Sequence, residues 1–523
     1  MPRDFHRGRH AGVLVPLFAM PTRASWGIGE LADLPSFARW MRAAGLDFIQ
    51  LLPLNEMSDG QNSPYSAMSA MAIDPIFIAP GAMPDVAALG GENLLREDER
   101  AALDAARRGP RVAYETVRRL KRKVFLLAFE RFLREEDARS TPRAMDFAAF
   151  RAREDWWLDE YTLFRALHAR EQSRFWLEWP APLRDRDPEA LRVARCELAQ
   201  DILFYGYLQW VADEQWREAR AASSDVGVFG DFPFMVSGDS ADVWSRQQDF
   251  RMDASVGVPP DAFSETGQDW GFPAYRWIEI ASRGDEWLAA RARRSAELYD
   301  GYRVDHLVGF YRTFIRERDG RSAFVPADEP SQLAQGERLL RLFTSTSARI
   351  IVEDLGVVPD FVRESLARLG VPGYRVLRWE REWHAPDQPF RDPATFPSAS
   401  VATTGTHDTE PLAGWWDAAP AAERTAVLDV PLLRDRGCTA DEPFCDRIRD
   451  AFLETLFASA SDLVIVPIQD LFGWRDRINT PATVGDTNWT WRLPWFVDDM
   501  DVEPDTVGRA AFLWGLTQAH RRS

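Results

Sequence analysis

The run Leu463-Val464-Ile465-Val466-Pro467-Ile468 is apolar from end to end. A strand with one wet face alternates apolar and polar residues, whereas an unbroken run rich in β-branched side chains suits a strand buried on both faces, as in a parallel sheet. Working outward from it, seven more short runs read as strands: Val13–Phe18, Phe48–Leu54, Val226–Val236, Tyr302–Phe310, Arg349–Leu355, Tyr374–Trp379 and Val401–Thr406. Amphipathic helices stand between many of them. Leu34, Phe37, Met41 and Ala44 share one face, with Asp33 placed to cap that helix and Gly45 to end it. Val362, Leu366 and Leu369 form a second stripe between Pro359 and Gly370, and Ile448, Phe452 and Leu456 a third. Strands alternating with helices in this way predict an α/β protein whose core is a closed (β/α)₈ TIM barrel.

Two stretches interrupt the alternation. Residues 81–200 are rich in Arg, Glu and Ala and read as a mostly helical insertion, with Val117, Leu120, Val124 and Leu127 on one apolar face. The basic run Arg118–Lys123 in that helix reads as its solvated back. A second insertion, about 237–300, contains the Gly- and Pro-bearing stretch Gly257–Trp270 and reads as a lid or loop near the barrel mouth. With no internal repeat or low-complexity linker, residues 1–523 read as one catalytic barrel domain interrupted twice.

Composition narrows the partners. The chain has 523 residues, 46 % hydrophobic and 28 % charged, with a net charge of −18, which argues against nucleic acid as the main ligand. Cys196, Cys438 and Cys445 make no disulfide framework and no C-x-x-C pair. Arg3, Arg7 and Arg9 are not followed by the apolar stretch of a signal peptide, and no apolar run is long enough to span a membrane. These features predict a cytoplasmic protein without membrane partners. The 21 tryptophans serve a large core first, but aromatic faces also stack on sugar rings.

Barrel enzymes place their chemistry at the carboxyl ends of the strands. Those ends carry Asp231, Arg303-Val304-Asp305-His306, Glu353-Asp354, His407-Asp408 and Gln469-Asp470. The seven histidines form no H-x-x-x-H pair, and neither a G-x-S-x-G elbow nor a P-loop occurs, so no metal or cofactor is expected. Paired carboxylates without a metal point to glycosyl transfer, which in its retaining form needs a nucleophile and an acid/base about 5–5.5 Å apart. Asp305 suits the nucleophile, with Arg303 two residues earlier on the same side of its strand to keep it ionised. Glu353, on the following strand, suits the acid/base, and Asp408 suits the stabilisation of an oxocarbenium-like transition state. His407 and His306 would bond nearby sugar hydroxyls.

These strings resemble the alpha-amylase clan, and specifically its amylomaltase branch, glycoside hydrolase family 77. Arg303-Val304-Asp305-His306, Glu353-Asp354-Leu355-Gly356 and Thr406-His407-Asp408 are the clan-like pieces. The branch is picked out by Ser25-Trp26-Gly27-Ile28-Gly29, by Ser63-Pro64-Tyr65-Ser66 and by the stretches 230–244, 258–271 and 467–481. The resemblance implies a 4-alpha-glucanotransferase acting on maltooligosaccharides or on alpha-glucans derived from starch or glycogen, without a metal. It implies Asp305 as nucleophile, Glu353 as acid/base and Asp408 as stabiliser, with Arg303 and His407 supporting them. It further implies Tyr65 stacking under the transferred sugar, Trp270 as acceptor platform, Asp261, Ser264 and Glu265 on a closing loop, and Asn479 lining the acceptor region. Ala262, the pair Thr409-Glu410 and Ala482 depart from the family pattern without touching a carboxylate. An alpha-glucan hydrolase of the same clan and a non-catalytic glucan-binding protein are the alternative readings.

Overall fold

The computed structural model describes residues 5–58, 60–260, 267–481, 483 and 485–522. Among these, twelve strands run in chain order: β1 (His10–Leu14), β2 (Phe48–Gln50), β3 (Gly227–Phe232), β4 (Phe250–Val258), β5 (Gln268–Tyr275), β6 (Gly301–Val304), β7 (Thr313–Glu317), β8 (Ser322–Val325), β9 (Arg349–Val352), β10 (Gly373–Val376), β11 (Ser400–Thr403) and β12 (Leu463–Pro467). Eight of them close into a parallel barrel in the order β1-β12-β11-β10-β9-β6-β3-β2. All eight expected strands are barrel strands, and β12 pairs with β1 to close the ring, His10 opposite Leu463 and Leu14 opposite Pro467. Every residue of β12 is buried, as its unbroken apolar run requires. Helices pack around the ring, as in a (β/α)₈ fold.

The strands stop earlier than their apolar runs. β6 ends at Val304, where the expected run continued to Phe310; His306 has φ 42°, and Val308–Tyr311 is a short helix. The ladder still extends one step past the strand, because Asp305 N–H donates to Phe232 O at 3.0 Å and Glu353 N–H to Val304 O at 3.0 Å. The loops after the strands are apolar because they pack on the barrel rim, so hydropathy alone does not mark the strand ends.

Between β2 and β3 the helices include Glu97–Arg108, Tyr114–Glu135, Pro142–Arg170 and Ala199–Ala222, so the helical stretch runs past residue 200 up to β3 itself. The expected solvated basic run holds for Arg119 and Arg122, which are exposed, but needs correction at Lys121. Lys121 is buried: its Nζ lies 2.6 Å from Glu30 and donates to the carbonyls of Ile76 and Ile78. Asp33 does not cap the helix Leu34–Ala43 through its side chain. Its carboxylate instead accepts from the Ser25 and Thr22 hydroxyls and from Glu30 N–H.

The stretch read as a loop near the mouth holds two strands as well as the helices Ala241–Ser245, Trp277–Ser282 and Glu286–Leu298. β4 and β5 form a long antiparallel hairpin that continues through β7 and β8 in the order β5-β4-β7-β8. The partners that complete it lie beyond β6, out of sequence order, and Gly257, Pro259, Pro260 and Pro273 hide the alternation. A Cβ at Gly257 would meet Gln268 O at 2.0 Å, so this glycine lets two backbones approach; Gly267, at φ +70°, sits where the chain turns left-handed.

Candidate active site

Barrel register brings the first pair together. Asp231 on β3 and Arg303 on β6 are direct strand partners, and Arg303 Nη1 reaches Asp231 Oδ2 at 2.6 Å. The other terminal nitrogen, Nη2, lies 3.0 Å from Asp305 Oδ1 and 2.8 Å from Glu353 Oε2. Asp305 and Glu353 each stand one residue past a strand, β6 and β9, so one buried guanidinium holds both carboxylates at the carboxyl rim. Two oxygens on one nitrogen are separated by at most two hydrogen-bond lengths, which suits the ~5–5.5 Å spacing of a retaining pair. Phe234 N–H donates to Asp305 at 3.3 Å and His306 N–H to Glu353 at 2.8 Å, which orients the two carboxyls.

The second half of the site hangs on Tyr65. Its hydroxyl donates to Asp231 at 2.7 Å and lies 3.0 Å from His407 Nε2, while its ring stacks on the imidazole at 5.3 Å between centroids. His407 Nε2 is also 3.2 Å from Asp408 Oδ2. Asn479 Nδ2 donates to Asp408 Oδ1 at 2.6 Å, and Arg477 donates to the Asp408 carbonyl at 2.8 Å. Trp270, on β5, packs edge to face against His306 at 4.7 Å.

Four carboxylates around one guanidinium and one imidazole set the electrostatics. Burial pushes Asp305 up to about 8, and the Glu353 and Asp231 carboxylates add to the rise against the pull of Arg303. Glu353 is buried too, yet Arg303 and His306 hold it below its usual range. Seated on one guanidinium, the two carboxyls titrate as a pair that shares a single proton. The sequence expectation that Arg303 would lower Asp305 is corrected, because burial outweighs a guanidinium that is shared among three acids. Burial also raises Asp231. Asp408, despite its own burial, is held down to about 2 by His407 and Asn479. Burial works against the charge on His407, but Asp408 and Asp231 raise it overall, and burial lowers His306 to about 4.

The structure thus gathers Tyr65, Arg303, Asp305, Glu353, His407, Asp408 and Asn479 into one network, with Trp270 against His306 at its edge. Asp261, Ser264 and Glu265 lie outside the described residues. Two strand-end acids serve the scaffold instead. Asp354 accepts from Tyr374 N–H and Arg375, and Asp470 from Thr404 and Leu412 N–H. Arg477 and Trp489 were not singled out from sequence. Arg477 stands inside a string already quoted, but Trp489, 5.7 Å from Tyr65 and 5.8 Å from His407, arrives from a loop with no local signal. Among the described residues no cluster of three or more His, Cys, Asp or Glu side chains has the geometry of a metal site.

Comparison with known proteins agrees over nearly the whole chain. A family model described as 4-alpha-glucanotransferase matches residues 15–498. The chain is 32 % identical to the 4-alpha-glucanotransferase of Thermus thermophilus over 94 % of this chain and 95 % of that one. It is 31 % identical to the enzyme of Chlamydia pneumoniae, over 92 % and 91 %. Its structure resembles the amylomaltase of Streptococcus agalactiae solved with acarbose, with a TM-score of 0.81, 27 % identity and coverage of 98 % and 100 %. The chain belongs to the 4-alpha-glucanotransferase family.

Proposed function

We propose that the chain transfers alpha-1,4-glucan segments from a donor to the 4-hydroxyl of an acceptor glucan by a retaining double displacement through a covalent glycosyl–Asp305 intermediate. Its substrates are maltooligosaccharides and alpha-glucans of the starch and glycogen type. The observation that supports this reading best is the seating of Asp305 and Glu353 on one nitrogen of Arg303.

In the first half-reaction an Asp305 carboxylate oxygen attacks the anomeric carbon while Glu353 delivers a proton to the departing glycosidic oxygen. That requires the pair's single proton to sit on Glu353. The leaving oxygen of a bound donor accepts a hydrogen bond only from the protonated acid, so donor binding favours the shared proton on Glu353. In the second half-reaction Glu353, now a carboxylate, takes the proton of the acceptor hydroxyl as that oxygen displaces Asp305. Asp408, held ionised by His407 and Asn479, bonds the sugar hydroxyls more strongly as the ring gains positive charge. Tyr65 presents a fixed ring beneath the transferred sugar, because its hydroxyl is anchored on Asp231 and His407.

The reading is tested by incubating the protein with maltotriose and following product sizes together with total reducing ends. Glucose plus longer maltooligosaccharides at constant reducing ends is the expected result. Rising reducing ends without longer products would replace transferase with hydrolase.

A further inference from the structure

The pair Thr409-Glu410, where the sequence departs from the family pattern, takes no step in the two half-reactions. It stands directly after Asp408, on the turn that follows β11. Thr409 stitches that turn together: its Oγ1 accepts from Thr406 N–H at 3.0 Å and donates to the Thr406 carbonyl at 3.0 Å. Gly405 leaves the room this needs, because a Cβ there would collide with Thr409 Oγ1 and come within 3.1 Å of Arg378 Nη2. Glu410, half-buried, faces two guanidiniums. Its Oε1 lies 3.2 Å from Arg378 Nη1 and its Oε2 3.9 Å from Arg477 Nη1. Its carbonyl also accepts from Arg378 Nη2 at 2.8 Å.

Arg378 depends on that carboxylate. It stands in the short helical turn Leu377–Trp379 after β10, with its side chain 1 % exposed, and Glu410 is the one acid at ion-pair distance from it among the described residues. Burial pushes the Arg378 pKa down, the charges of Glu410 and Asp470 oppose that, and Arg477 adds to it. Two like charges side by side repel, and a carboxylate between them offsets the repulsion. Arg477 carries the arrangement to the site. Its Nη2 donates to the Asp408 carbonyl at 2.8 Å and its Nε to the Asn479 carbonyl at 3.1 Å. Asn479 in turn holds Asp408 Oδ1 at 2.6 Å. Asp408 is thereby held at both ends, its backbone by Arg477 and its carboxylate by Asn479.

We propose that Glu410 is a positioning residue for Asp408: by bridging Arg378 and Arg477 it fixes the Asp408 turn and Asn479 in the geometry the chemical step needs. It touches no reacting atom. Its influence runs through Arg477, whose two carbonyl bonds set where the Asp408 carboxylate points. Hydrogen bonds that strengthen as the sugar ring gains positive charge depend on such placement, and an error of about 1 Å lowers rate more than binding. Asp408 has this task on the proposed retaining mechanism, on which the assignment of Glu410 rests.

The test is steady-state kinetics of the full chain with maltotriose and with alpha-maltosyl fluoride, alongside melting temperatures, for the wild type, Glu410→Gln and Arg477→Lys. Fluoride departs without a proton from Glu353 but through the same oxocarbenium-like transition state. Glu410→Gln keeps the size of the side chain and removes its charge. It should lower kcat and kcat/KM by the same factor, about tenfold, with both donors. Arg477→Lys keeps the charge but cannot bond both carbonyls, so it should show the same signature even if Glu410→Gln folds poorly. A raised KM at unchanged kcat makes Glu410 a substrate-binding group and overturns the proposal. So does a loss seen with maltotriose alone, which would place the effect on Glu353, or full activity in either variant. A wild type that releases product from neither donor overturns the retaining mechanism itself, so the two failures are distinguishable.

Discussion

The proposed mechanism asks Asp305 to be a nucleophile in a place that favours its protonated form, and that conflict makes two predictions. The folded chain binds a proton at Asp305 up to about pH 8, whereas the unfolded chain releases it near the ordinary carboxyl value of 3.8. The folded state holds more protons between those values, so this group's contribution to stability is full below about pH 4 and is lost as pH rises through 8. Asp305→Asn should therefore abolish transfer, by ~10³-fold or more, while raising the melting temperature at pH 7–8 by ~1–3 °C. A variant that loses activity and melts lower would show that the carboxyl is not strained. The second prediction concerns rate. The pair needs its one proton for leaving-group departure, so kcat/KM for maltotriose should fall above about pH 8. Asp231→Asn removes one of the carboxylates that raise Asp305 and should move this alkaline limb to lower pH. An unmoved limb would assign it to another group. The carboxylates were legible in sequence because strand ends are where such residues stand. The sharing of Arg303 was not, because the Asp231 pairing depends on barrel register between strands about 70 residues apart.

The helix Tyr114–Glu135 shows how far periodicity reaches and where it stops. Its apolar stripe was readable, and Val117, Leu120 and Val124 are buried as the spacing implies. Leu127, the fourth residue of the expected stripe, is only half-buried, while Lys121, four residues after Val117 and three before Val124, shares the buried face. By its charge it reads as a surface residue, yet it stays in the core because Glu30 and two carbonyls, from distant loops, meet its ammonium. Spacing puts the lysine on that face, but no local rule identifies its partner about 90 residues away. The pair joins the helical stretch to the loop after β1, so it should behave as a structural joint. Lys121→Met leaves a buried carboxylate without its cation and should cost roughly 3–5 kcal/mol. Glu30→Gln added to Lys121→Met removes that stranded charge and should recover most of the loss in a denaturation series. If the double variant is as unstable as the single one, the ammonium matters for its bonds to the carbonyls of Ile76 and Ile78 and not for its charge. The same limit of local reading explains β4 and β5, whose alternation is broken by glycine and proline and whose sheet partners follow β6.

At the scale of the whole molecule, the barrel supplies the acids and the small sheet brings a second wall to them. The barrel was legible because each buried parallel strand carries its own unbroken apolar run. The relation between the barrel and the sheet was legible only as resemblance, because Trp270 meets His306 through two elements that share no sequence pattern. On the proposed mechanism, that contact is where transfer would be set against hydrolysis. A glycosyl–Asp305 intermediate is resolved by whichever oxygen reaches the anomeric carbon first, and water is always the more abundant. The acceptor wins only if it is already held when the leaving group departs. Trp270, partly buried and standing edge to face on His306 at 4.7 Å, offers a ring face next to the reacting pair. Stacking of that kind is worth about 0.5–1.5 kcal/mol beyond area burial, which is a factor of roughly 2–12 in acceptor occupancy. Trp270→Ala should therefore lower transfer by about that factor and leave the attack on the donor nearly intact, so that the ratio of reducing ends formed to longer products rises by a similar amount with maltotriose. If transfer and hydrolysis fall together by one factor, Trp270 acts before the intermediate forms, in donor binding, and the choice between sugar and water is made elsewhere on the rim.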